Sequence, residues 1–155
     1  MNKQLFILLC VLLSSGIANA QAKPKSTAKP AANELAKLMM GIGLPYKMAN
    51  DSVAAIPYEG ENIASYQVLI QKISDLVIVY TNLSEALTGK IDETKYKYLL
   101  QQNEHFDIVK IGMSADDNSV FVRADIYKSG ISTALLQRIV KQVANVTNII
   151  AGDLK

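Results

Sequence analysis

Across residues 106–126, FDIVKIGMSADDNSVFVRADI, apolar and polar side chains alternate with a period of two on both sides of one polar loop. That pattern predicts a β-hairpin. Ser114 falls opposite Ser119 across Ala115-Asp116-Asp117-Asn118, so Val109, Ile111 and Met113 share a face with Val120, Val122, Ala124 and Ile126. The other face is mixed: Lys110 stands opposite Arg123 with Asp125 diagonal to it, and Gly112 stands opposite Phe121, whose ring can cover the gap a glycine leaves.

The same reading places the other elements. Asn33 is an N-cap for a short helix in which Leu35, Leu38, Met39 and Ile42 follow the i, i+3, i+4, i+7 spacing of one apolar face, ended by Gly41, Gly43 and Pro45. Two weaker strand patterns follow at 46–48 and 53–58, with Asn50-Asp51-Ser52 as the turn between them. Residues 65–73 alternate as a half-buried strand should, and Ser74-Asp75 separates them from Leu76-Val77-Ile78-Val79-Tyr80, which is apolar on both sides and belongs in the middle of a sheet. A helical turn is expected at Ser84-Glu85-Ala86-Leu87. Asp92 caps a second helix with Tyr96, Leu99 and Leu100 as its inner face. After the hairpin, Ser132 caps a third helix, carrying a stripe of Leu135, Leu136, Ile139, Val140, Val143, Val146, Ile149 and Ile150 as far as about Ala151.

The start of the chain has a different character. Lys3, an apolar run over 5–13, a break over 14–17 and Ala18-Asn19-Ala20 form a secretory signal peptide, with cleavage expected between Ala20 and Gln21. The run falls well short of the roughly 20 residues of a spanning helix. Residues 21–32, QAKPKSTAKPAA, hold Lys23, Lys25 and Lys29 with Pro24 and Pro30 and no large apolar side chain, which predicts a flexible linker. One domain, 33–152, remains, in a protein expected to be exported to the periplasm or secreted.

Composition narrows the chemistry. The 155-residue chain is 50% hydrophobic, and its single cysteine, Cys10, lies in the signal, so the mature domain is held by its core without disulfides or thiolate sites. Loss of Lys3 leaves 15 basic and 14 acidic residues, a balance that points away from nucleic acid. His105 is the sole histidine and is read as a surface residue. Gly41-Ile42-Gly43 follows a helix instead of a strand, and Asp116-Asp117-Asn118 lacks the glycine and distal glutamate of an EF-hand loop. The carboxylate pairs Glu59 with Glu61 and Asp92 with Glu93 occupy turn and cap positions. No catalytic, cofactor or metal set emerges.

The element order and two segments, LLQQNEHFDIVKIGMSADDNSVFVRADI (99–126) and LLQRIVKQVANV (135–146), resemble the YbjN domain family and the type III secretion chaperones of the Tir chaperone class. Gly43-Leu44-Pro45-Tyr46 is similar to their N-terminal signature. The resemblance implies an α+β fold, a twisted antiparallel sheet of about five strands packed by helices in the order α-β-β-β-α-β-β-α, together with frequent homodimers and roles in binding other proteins. The leading expectation is therefore a non-enzymatic domain that binds a protein or peptide. Ile108, Phe121 and Arg123 on the mixed hairpin face and Arg138 and Lys141 on the last helix are its candidate contacts. The alternative is a carrier of a small apolar ligand held between the sheet and the last helix.

Overall fold

The computed structural model describes residues 33–83 and 91–155. The expected signal peptide with Ala18, Ala20 and Gln21, the linker 21–32 and the helical turn at Ser84-Glu85-Ala86-Leu87 lie outside the described residues.

The chain orders as α1 (Glu34–Met40), β1 (Lys47–Asn50), β2 (Val53–Tyr58), β3 (Tyr66–Ile73), β4 (Leu76–Asn82), α2 (Glu93–Gln102), β5 (Lys110–Met113), β6 (Val120–Tyr127), a single 3₁₀ turn at Lys128–Gly130, and α3 (Thr133–Asp153). One antiparallel sheet runs β1-β2-β3-β4-β6-β5. The α+β class holds, with a sixth strand beyond the five in the expected order because both weak patterns before residue 60 pair. The doubly apolar run 76–80 is central, flanked by β3 and β6.

The caps explain where the helices begin. Asn33 Oδ1 accepts from the Leu35 and Ala36 N–H groups, Asp92 Oδ1 from Lys95 N–H, and Ser132 Oγ from Leu135 N–H. Each side chain satisfies a donor that the first turn leaves without an intrahelical partner. Ser74, at φ 52°, supplies the left-handed residue that turns β3 into β4 in two residues.

The hairpin register is the expected one: Lys110 opposite Arg123, Ile111 opposite Val122, Gly112 opposite Phe121 and Met113 opposite Val120. The Ser114 N–H donates to the Ser119 carbonyl at 2.8 Å.

α3, 21 residues and about 32 Å long, packs over β3, β4 and β6, while α1 packs over β2. Both cover the same side of the sheet. Val68, Ile70, Val77, Val79, Val120 and Val122 meet Leu136, Ile139, Val140, Val143 and Ile150 in one core. Fully burying each such side chain stabilises the fold by roughly 1.5–3 kcal/mol. α2 sits beside the edge strand β5 and is held to the end of α3 by Tyr98, whose hydroxyl donates to Asp153 Oδ2 at 2.5 Å, and by Lys95 Nζ, which donates to the Leu154 carbonyl at 2.9 Å. Of the inner face expected for α2, Leu99 is buried and Tyr96 half-buried, but Leu100 is 66% exposed. It lies next to Leu99 on a helix that touches the fold along a narrow stripe, so a 100° step carries it outside that stripe.

Candidate functional site

The open face of the sheet

Strand alternation sends every second side chain away from the helices. On that side the register aligns Lys47, Ala55, Leu69, Tyr80, Arg123 and Lys110 in one row across all six strands. A second row holds Val53, Gln71, Ile78 and Asp125, a third holds Ile73, Leu76 and Tyr127, and Asn82, Phe121 and Gly112 make a fourth. The buried apolar side chains of all three helices belong to the core on the opposite side. The open face is therefore apolar along β4 and polar toward its margins.

A hollow of about 430 Å³ lies in its middle, lined by Gln71, Ile73, Ile78, Tyr80, Phe121 and Arg123 among others. Its floor is uneven. Ile78 is 6% exposed, whereas Ile73 and Tyr127 at one end stand 47% and 66% exposed. An adjoining hollow of about 530 Å³ extends past Gln67 and Leu69.

Phe121 does what its position opposite a glycine suggests. A Cβ built on Gly112 would come within 2.5 Å of the Phe121 ring, so the ring occupies the space that any larger residue would need. Arg123 Nε donates to Asp125 Oδ1 at 2.6 Å, an exposed pair that leaves the guanidinium beside the hollow. Lys110 is turned to the chain behind it, its ammonium donating to the Phe106 carbonyl at 2.6 Å. At the hairpin tip, hydrogen bonds from Ser119, from its side chain and then its backbone, hold the Asp117 carboxyl below its ordinary range. That carboxylate is used by its own turn.

The face of the last helix

Arg138 and Lys141 stand on the solvent side of α3 beside Gln137, Gln142 and Asn145, around a shallow hollow of about 380 Å³. Ile108 belongs with them. It precedes β5, and its side chain lines a hollow of about 180 Å³ with Gln142, Asn145 and Val146 of α3. The expectation that Ile108 shares a face with Phe121 and Arg123 is thus corrected: strand pairing begins at Lys110, so the two-residue alternation does not extend back to 108. The five candidate contacts fall on two surfaces, Phe121 and Arg123 on the open sheet, Ile108, Arg138 and Lys141 on the helix side.

Sequence reasoning missed the larger part of the open face, namely Leu69, Ile73, Leu76, Ile78, Tyr80 and Tyr127. The usable sign was the run 76–80, apolar on both sides of a strand where the helices among the described residues cover only one.

The inner side of α3, where an apolar ligand was envisaged, is occupied by the core: Leu136, Val140 and Val143 are at 0% exposure against Val79 and Val122 at 0%. Next to it, Tyr58 and Tyr66 stack with centroids 5.8 Å apart, and the Tyr66 hydroxyl donates to the Ala144 carbonyl at 2.9 Å. Burial pushes both phenols up from their ordinary value. Among the described residues no group of three or more His, Cys, Asp and Glu side chains is placed to hold a metal ion, and no helix is long and apolar enough to cross a membrane.

Comparison with known proteins

No family model matches the chain, and no curated protein matches it in sequence. Solved structures do match. A chain of the heterodimeric complex ExoU-SpcU from the type III secretion system of Pseudomonas aeruginosa aligns with a TM-score of 0.54 at 14% identity, covering 77% of this chain and 96% of that one. A chain of the ExsC-ExsE complex aligns with a TM-score of 0.55, also at 14% identity, covering 77% of this chain and 90% of that one. YbjN from E. coli overlaps 76% of this chain and 85% of its own at 11% identity and a TM-score of 0.48. The first two likenesses establish a shared fold and, at such identity, the fold alone. The resemblance to type III secretion chaperones read from 99–126 and 135–146 therefore holds at the level of fold.

Proposed function

We propose that this chain is an exported, non-enzymatic domain that binds another protein or peptide on the open face of its sheet. The observation that carries the reading is the apolar strip along β4 and its neighbours, Leu69, Leu76, Ile78, Tyr80 and Phe121, on the side of the sheet that none of the helices among the described residues covers. The strip is half-buried and runs out to the exposed Ile73 and Tyr127 at one end, and an apolar surface of this kind bordered by polar groups is a mark of an interaction site. Gln67, Gln71, Arg123 and Asp125 supply that border, with amides and one ion pair able to fix the orientation of an apolar partner. The two fold neighbours above were both solved in protein complexes, ExoU-SpcU and ExsC-ExsE, which is in keeping with a binding role. Export rests on the signal pattern of residues 1–20, with Ala18 and Ala20 before the cut and Gln21 as the new N-terminus.

The test is a double variant, Phe121→Ala with Arg123→Ala, checked by circular dichroism for an unchanged fold and used as bait against native-host extract beside the parent protein. The reading predicts loss of the proteins the parent captures. Undiminished capture by the folded variant contradicts it.

A further inference from the structure

Edge strand β5 has four residues, and an edge strand offers its outward N–H and C=O groups to any strand that arrives. The bond from Ser114 N–H to the Ser119 carbonyl fixes which groups those are. By alternation along an antiparallel pair, the backbone groups of Gly112 and Lys110 turn toward β6 and those of Ile111 and Met113 turn outward.

The outward groups of Ile111 are already occupied. Its N–H donates to Asn103 Oδ1 at 2.7 Å, and its carbonyl accepts from Asn103 Nδ2 at 2.9 Å. A primary amide presents the same donor and acceptor as a peptide unit, so Asn103 stands where the peptide group of a seventh strand would stand. The side chain reaches that spot from the C-cap of α2, where the Asn103 N–H bonds to the Leu100 carbonyl at 3.2 Å. Lys110 Nζ then ties the connection down, donating to the Phe106 carbonyl at 2.6 Å and to the Asn103 carbonyl at 3.4 Å. The opposite edge is blunted by other means, a four-residue β1 with a register shift between Met48 and Asn50.

We propose that Asn103 is a built-in plug on a strand-pairing surface, and that the surface beneath it fits β5 of a second copy of this chain. A two-fold axis at Gly112 sets Ile111 against Met113 of the other copy and Lys110 against its Ser114, so no like charges meet. With Asn103 in place, this route to a continuous sheet across two molecules is closed.

The experiment compares the purified parent protein with Asn103→Ala and Asn103→Asp by light scattering over a concentration series and by amide hydrogen exchange. In the parent, the Ile111 amide is protected although it faces away from β6; exchange there as fast as at the exposed hairpin tip overturns the proposal without any variant. Asn103→Ala is expected to reach twice the parent mass as concentration rises, with Ile111 protection lost at low concentration and regained at high. Asn103→Asp still accepts from the Ile111 N–H and sets a carboxylate against an incoming strand, so it is expected to keep the parent mass. A folded alanine variant that never exceeds the parent mass, or equal association by both variants, contradicts the plug.

Discussion

The two faces of the sheet are built from the same strands and treated oppositely. On the covered face Ile70, Val79, Val120 and Val122 are at 0% exposure beneath α3 and α1; on the open face Leu69, Leu76, Tyr80 and Phe121 are only half-buried, and Ile73 and Tyr127 are exposed. β4 makes the contrast inside a single strand, with Val77 and Val79 in the core and the half-buried Leu76 and Tyr80 on the other side, where only Ile78 is buried. Apolar residues on the covered face are accounted for by folding, since removing them from water is what holds the domain together. Their counterparts on the open face gain much less from the folded chain alone, and that gap between composition and burial is what marks the face for use.

Substitutions should reproduce the contrast. Ile70→Ala removes a fully buried side chain from the core and is expected to cost about 2–5 kcal/mol in denaturant unfolding. Ile73→Ala, three residues further on the same strand and facing outward, is expected to stay within about 0.5 kcal/mol. Comparable losses at both positions would erase the distinction between the faces.

Gly112→Ala is the intermediate case. Its new Cβ meets the Phe121 ring, and the overpacking is expected to cost about 1–3 kcal/mol. Because the ring is the obstacle, the same change made in a Phe121→Ala background should cost measurably less, a coupling that a double-mutant cycle reads directly. Strict additivity would mean that the glycine answers to something other than that ring.

The smallest effect lies on the covered side's margin. Glu34 of α1 accepts from both Lys72 of β3 and Lys128 of the 3₁₀ turn, and hydrogen bonds from Lys128 and then Lys72 hold its carboxyl down at about 2 from 4.5. A depressed carboxyl favours folding in its ionised form, so its contribution is complete above pH 4.5 and is lost as pH falls toward 2. The groups are exposed, so the contribution is modest and screened by salt. Glu34→Gln should lower stability slightly at neutral pH, where the contribution is complete, and flatten the acid limb so that the two profiles converge toward pH 2; an unaltered acid limb would remove the carboxylate from the account.

How much of this was legible in the sequence depended on how locally each feature is determined. The hairpin was readable to the residue, Lys110 with Arg123 and Gly112 with Phe121, because a period-two pattern on both arms admits one register. Asn33, Asp92 and Ser132 were readable as caps because a polar residue before an apolar period leaves few other roles. Leu100 and Ile108 were not, since their exposure depends on how α2 docks and where β5 starts, both tertiary facts. Asn103 was invisible for the same reason: a polar residue at a helix end is common, and only the arrival of Ile111 at hydrogen-bond distance gives it a task. The candidate site was half legible, its Phe121 and Arg123 from the hairpin and its β3 and β4 portions only once the helices were seen to share one side.

The central claim, that the open face is the one used, is tested most directly by site-specific photo-crosslinking in the native host. A photoreactive side chain is placed at Ile73 or Tyr127 on the open face and, separately, at Asn145 on the outer side of α3. Adducts to a recurring protein from Ile73 and Tyr127, with none from Asn145, are the predicted result. Adducts from Asn145 alone would contradict it and move the binding surface to the helix side.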